Sequence, residues 1–126
     1  MKVSDIMKKA VVVDDSSITL KQAAKIMTER KIGSLIILKE DKIIGILTES
    51  DVVKDIDSIN KKLSELMSKD IISIDKNSII EDAARLMKQN KIKRLPVLDG
   101  KSLVGIITAT DIIQSSNELN EDFFFD

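Results

Sequence analysis

The sequence predicts a mixed α/β (α+β) fold in which one β-α-β-β-α unit is used twice, the two copies packing with pseudo-two-fold symmetry. Three observations predict it. Shifting the 126-residue chain by 60 positions aligns residues 3–53 with 63–113 without a gap, and 15 of the 51 pairs are identical. Within each copy the apolar spacing passes from short strand-like runs to helical spacing and back. The apolar fraction is 43%, yet the only aromatic residues are Phe123, Phe124 and Phe125, so the core must be aliphatic.

Each element follows in order. The runs 11–13 and 71–74 are short and apolar, as buried strands are. A helix follows in each copy, with Leu20, Ala23, Ala24 and Met27 on one face and Ile80, Ala83, Ala84 and Met87 repeating them. Ser78 with Glu81 reads as a capping box for the second of these helices. Strands are expected at 34–38 and 43–48, and again at 94–98 and 103–108, with Asp99-Gly100 as a hairpin turn. A further helix starts near Thr48 and near Thr108, and the mixed charges of 49–62 read as a solvent-facing helix leading into a linker. Met7 and Met67, in the matching segments SDIM and SELM, read as packing residues.

A 60-residue unit buries only about 60% of its unfolded surface and is marginal alone. The two copies are therefore expected to pack as one module, with a cleft lined by equivalent residues of both. The expected domains are 1–60, 61–116 and an acidic Phe-bearing tail, 117–126. The tail reads either as a frayed terminus or as an apolar anchor, because three exposed Phe are costly in water.

Composition excludes several function classes. With no Cys and no His there is no thiol nucleophile, no Ser-His-Asp triad, no disulfide and no thiolate or imidazole zinc site. No catalytic residues and no metal ligands are assigned, and Asp14-Asp15 before Ser16-Ser17 reads as a turn. The net charge of -1, with both signs interspersed, gives no basic stripe for a nucleic-acid polymer. No run is apolar enough to span a membrane and no signal core follows Met1, so a cytoplasmic protein is expected.

The most informative repeat is Gly45-Ile46-Leu47-Thr48-Glu49-Ser50-Asp51 against Gly105-Ile106-Ile107-Thr108-Ala109-Thr110-Asp111. Two β-α-β-β-α copies that each end in Gly-apolar-apolar-Thr-x-x-Asp resemble a pair of CBS domains, the Bateman module, over residues 1–115. The resemblance implies a non-enzymatic regulatory module that binds AMP, ADP, ATP or S-adenosylmethionine, with no resident cofactor. It implies that Asp51 and Asp111 hold ribose hydroxyls and that Thr48 and Thr108 contact phosphate. It also implies a homodimer and a separate, unidentified regulated protein.

The chemistry agrees with these roles. A carboxylate offers two acceptor oxygens to the paired ribose hydroxyls. In the mainly aliphatic runs 11–13 and 71–74, Val12, Val13, Ile72 and Ser73 are candidates for an adenine slot without a ring. The copies differ at one place: Lys93-Arg94-Leu95-Pro96-Val97 stands where the first has Gly33-Ser34-Leu35-Ile36-Ile37. Lys93, Arg94 and Pro96 therefore assign a phosphate-bearing ligand to the second copy, leaving a neutral adenosyl group or nothing for the first. The competing reading is a ligand-free structural or interaction module in which Thr-x-x-Asp only caps helices.

Overall fold

The computed structural model describes residues 1–67 and 70–115; the tail 117–126, with its three Phe, lies outside the described residues. Along the chain run α1 (Val3–Ile6), β1 (Val12–Val13), α2 (Leu20–Arg30), β2 (Ser34–Lys39), β3 (Lys42–Thr48) and α3 (Glu49–Lys54). There follow α4 (Leu63–Leu66), β4 (Ile74–Asp75), α5 (Ile80–Asn90), β5 (Arg94–Asp99), β6 (Ser102–Thr108) and α6 (Ala109–Ser115). The order is the expected β-α-β-β-α twice, each copy preceded by one short helix that the sequence reading left out.

The chain packs as two compact units whose cut differs from the repeat boundaries 1–60 and 61–116. The inner unit is Ala10–Ile71, and the outer unit joins Met1–Lys9 to the chain from Ile72 onward. Each unit thus takes its short helix from the other sequence repeat. Leu63 and Met67 belong to the inner core with Leu20, Leu35, Ile37 and Leu47. Val3 is fully buried in the outer core with Ala83, Leu95, Val97 and Ile107. Burying one such side chain contributes about 1.5–3 kcal/mol, which fixes the exchange.

The sheets are ordered β1-β2-β3 in the inner unit and β4-β5-β6 in the outer, with the first pair parallel and the second antiparallel. Both hairpins carry the same irregularity, after Ile37 and after Val97, where these residues face Gly45 and Gly105. The first strands differ. Val13 lies opposite Ile37, whereas Ile74, not the matching Ser73, lies opposite Val97. Ile36 N–H donates to Val11 O at 3.0 Å in the inner unit. Pro96 stands at the equivalent place and has no N–H, so the ladder forms only beyond it. The strand expected at 71–74 is therefore the shorter Ile74–Asp75.

Three other local expectations need correction. Ser78 and Glu81 form no capping box: α5 begins after Ile79, and no side chain caps it. Its first donors are met by backbone instead, with Ile80 N–H on Met1 O at 3.1 Å. The reciprocal box sits on α2, between Thr19 and Gln22. The helix expected over 49–62 ends at Lys54. Beyond it, Ile59 O and Lys61 O accept from Lys21 N–H and Leu20 N–H, both at 2.9 Å, so this stretch caps α2 rather than extending α3. Of each Ala pair only Ala23 and Ala83 are buried; Ala24 is half-buried and Ala84 is exposed.

Candidate functional site

Each unit presents the same strand-to-helix junction. Thr48 ends β3 in an extended conformation (φ -117°, ψ 166°), as a β-branched residue at an N-cap does. Its Oγ1 accepts Asp51 N–H at 3.3 Å, while Asp51 Oδ2 accepts Thr48 N–H at 2.9 Å and the Thr48 hydroxyl at 3.0 Å. In the outer unit Thr108 N–H donates to Asp111 Oδ2 at 3.0 Å, and Asp111 N–H to Thr108 Oγ1 at 3.1 Å. The capping box therefore forms in both copies and uses one carboxylate oxygen, Oδ2, leaving Oδ1 for another donor.

What reaches Oδ1 distinguishes the units. No other hydrogen bond or ion pair to the carboxylate of the half-buried Asp51 exists among the described residues. The Asp111 side chain is only 3% exposed, and its Oδ1 lies 3.1 Å from Lys8 Nζ. Lys8 is held by its backbone on β6, giving Lys8 N–H to Ile106 O at 2.9 Å and Ile106 N–H to Lys8 O at 2.8 Å. The side chain is therefore presented by the exchanged segment while remaining 68% exposed itself.

The structure brings some of the sequence-predicted residues to these junctions and not others. Arg94 lies directly opposite Thr108 across the β5–β6 pair, and Lys93 O accepts Ala109 N–H at 2.8 Å, so both stand at the start of α6. Pro96 is buried opposite Ile106, on the same sheet face as Arg94 and opposite to Leu95 and Val97. Val12 is exposed opposite Ile36, and Ser73 is half-buried. Val13 and Ile72 pack against the inner and outer cores, so both side chains contribute to folding. The Lys8 contact was missed by the sequence reading. The matching SDIM and SELM segments signal an element there, but not which copy it packs on.

Two other features bear on chemistry. Asp15, one of the acidic pair at the first turn, accepts the Ser17 hydroxyl and Ser17 N–H on Oδ1. No group of three or more acidic side chains is placed to hold a metal ion among the described residues. An open groove between α2 and α3 is lined by Ala24, Met27, Thr28, Ile32, Val52 and Val53, and none of the predicted ligand residues enters it. No described helix is long and apolar enough to cross a membrane.

Comparison with known proteins places this geometry. The model of the CBS domain matches residues 3–58 and 63–118. The chain is 36% identical to the uncharacterized protein MJ1232 of Methanocaldococcus jannaschii over 125 residues, 98% of this chain but only 42% of that protein. It is 32% identical to the CBS domain-containing protein YhcV of Bacillus subtilis, covering 92% of this chain and 87% of YhcV. Among solved structures, the CBS domain pair of protein MJ0100 superposes with a TM-score of 0.86 at 30% identity, covering 94% of this chain and 97% of that one. That crystal structure is a complex with 5′-methylthioadenosine and S-adenosyl-L-methionine.

Proposed function

The chain belongs to the CBS-domain family, with two domains in tandem, and from that premise we propose that it is a regulatory module that binds an adenosine-containing ligand. The ligand class is AMP, ADP, ATP or S-adenosylmethionine. The observation that carries the reading is Asp51: its Oδ2 is anchored by Thr48 while no described donor reaches Oδ1. An ionised oxygen on a fixed carboxylate suits a ribose hydroxyl. Thr48 and Thr108, at the helix starts, take the adjoining polar or phosphate group. The MJ0100 pair, bound to two adenosyl compounds, supports the ligand class.

The module performs no catalysis of its own, in keeping with a chain that has neither His nor Cys to serve as a neutral-pH base or nucleophile. It acts in the cytoplasm by shifting between states that a separate protein reads. It works as a homodimer, for which the exposed Val53, in the α2–α3 groove, and the exposed Ile56 supply apolar surface. The competing reading, an interaction module without ligand, is equally compatible with the complete capping boxes, since Thr-x-x-Asp serves the helices in either case.

Thermal melts with adenosine, AMP, ATP and S-adenosylmethionine decide between them. A ligand at 100 times its Kd adds about 2.7 kcal/mol and raises the Tm. The rise should shrink in Asp51→Ala and Asp111→Ala, each compared with its own ligand-free melt. No rise with any of the four leaves the interaction module standing.

A further inference from the structure

We propose that Lys8, carried into the outer unit by the opposite sequence repeat, sets the charge preference of the Asp111 site, so that this unit selects adenosyl ligands bearing phosphates. The inference rests on the adenosyl-binding reading above and assigns the ligand class within it. A buried carboxylate repels a phosphate tail unless a cation neutralises it. Lys8 Nζ does so at 3.1 Å, from the solvent-exposed side, while Asp111 itself is 5% exposed.

The surroundings of the two carboxylates amplify the difference. At the outer junction Lys93 and Arg94 flank the start of α6, whose first residue is Ala109. At the inner junction the matching residues are Gly33 and Ser34, and α3 begins with Glu49. Asp51 has no ion pair among the described residues, and the residue 60 positions on from Lys8 is the uncharged Ser68. Among the described residues, Lys8 pairs with Asp111 and Lys93 and Arg94 stand at the same junction, whereas no cation pairs with Asp51, beside which α3 adds the carboxylate of Glu49. The inner site is left for ligands with a neutral or cationic tail.

Removing Lys8 acts in one direction on two ligands. It exposes the Asp111 charge to a phosphate chain and weakens ATP binding, while it frees Oδ1 for a ribose hydroxyl and spares or improves adenosine binding. The Lys8 backbone bonds to Ile106 do not involve the side chain, so the segment stays in place.

The test is calorimetric titration of ATP and of adenosine into full-length Asp51→Ala, in which binding reports the outer unit, and into Asp51→Ala with Lys8→Gln or Lys8→Arg. Thermal melts establish that each variant is folded. The expected result is a preference for ATP over adenosine that falls about tenfold with Lys8→Gln, for loss of one nearby charge. Lys8→Arg should retain it, and added salt should diminish it. A preference unchanged within twofold in Lys8→Gln overturns the role of Lys8 while leaving adenosyl binding intact. Binding to wild type but not to Asp51→Ala overturns the outer site as a phosphate site. Absence of binding to wild type overturns the adenosyl reading and this inference together.

Discussion

Met7 lies so close over Gly105 that a Cβ on residue 105 would stand 2.7 Å from its Sδ and 2.9 Å from the Lys8 carbonyl oxygen. The relationship is crossed between the repeats: Met67 covers Gly45 in the same way. Each glycine of the repeated Gly-x-x-Thr segment lacks a side chain so that a methionine from the other repeat can close its unit.

A methyl group at Gly105 should therefore cost about 1–3 kcal/mol, as overpacking does. Urea denaturation of Gly105→Ala, Met7→Ala and the double variant gives the coupling. The two changes should be non-additive, because shortening Met7 makes room for the new methyl. Additivity within about 0.5 kcal/mol would show that the two residues do not compete for space.

The β2–β3 hairpin turns through Glu40 and Asp41 at φ 51° and 64°, a conformation that side chains resist. The β5–β6 turn places Gly100, at φ 62°, in the same region. Replacing Glu40-Asp41 by Asn-Gly should stabilise the inner unit by about 1 kcal/mol. A fall in Tm for this variant would show that the two acidic side chains hold the turn in some other way.

Asp15 gives a pH dependence with a definite sign. The Ser17 hydroxyl, followed by Ser17 N–H and the charge of Lys62, holds its carboxyl below the ordinary value of 3.8. A depressed folded-state pKa contributes stability above the unfolded value and loses it as pH falls through the folded one. Wild type should thus melt above Asp15→Asn at neutral pH, and the gap should close below about pH 3.8. A gap independent of pH would place the effect in turn geometry rather than charge.

The unit boundaries make a prediction about fragments. Residues 10–71 contain Leu63 and Met67, which complete the inner core, whereas 1–60 lack both and carry Val3 away from its core. The 10–71 fragment should melt cooperatively by circular dichroism, and 1–60 should not. Equal behaviour of the two fragments would refute the exchange as a determinant of stability.

Legibility differed sharply between local and long-range features. The strands at 34–39 and 94–99, the helices carrying Ala23 and Ala83, and the Thr-x-x-Asp junctions were readable because period and capping act within a few residues. The end of α3 at Lys54 was not, since it depends on Leu20 and Lys21 recruiting the carbonyls of Lys61 and Ile59. The register of β4 was readable in principle from Pro96, whose missing N–H is a sequence fact. Lys8 on Asp111 was beyond reach, because a near-symmetric repeat gives segment 1–9 two equivalent docking places and nothing local to choose between them.

The exchange also orders events in time. On a ribosome, residues 10–71 emerge as one contiguous stretch and can collapse without waiting for later sequence. The outer unit has no such luxury: Val3, Met7 and Lys8 leave first, yet Ile107 and Asp111, which they meet, are made about a hundred residues later. Closing that long a loop carries an entropic cost and slows assembly. The carboxylate proposed to read the cell's nucleotides is thus assembled last, when the beginning of the chain finds its end.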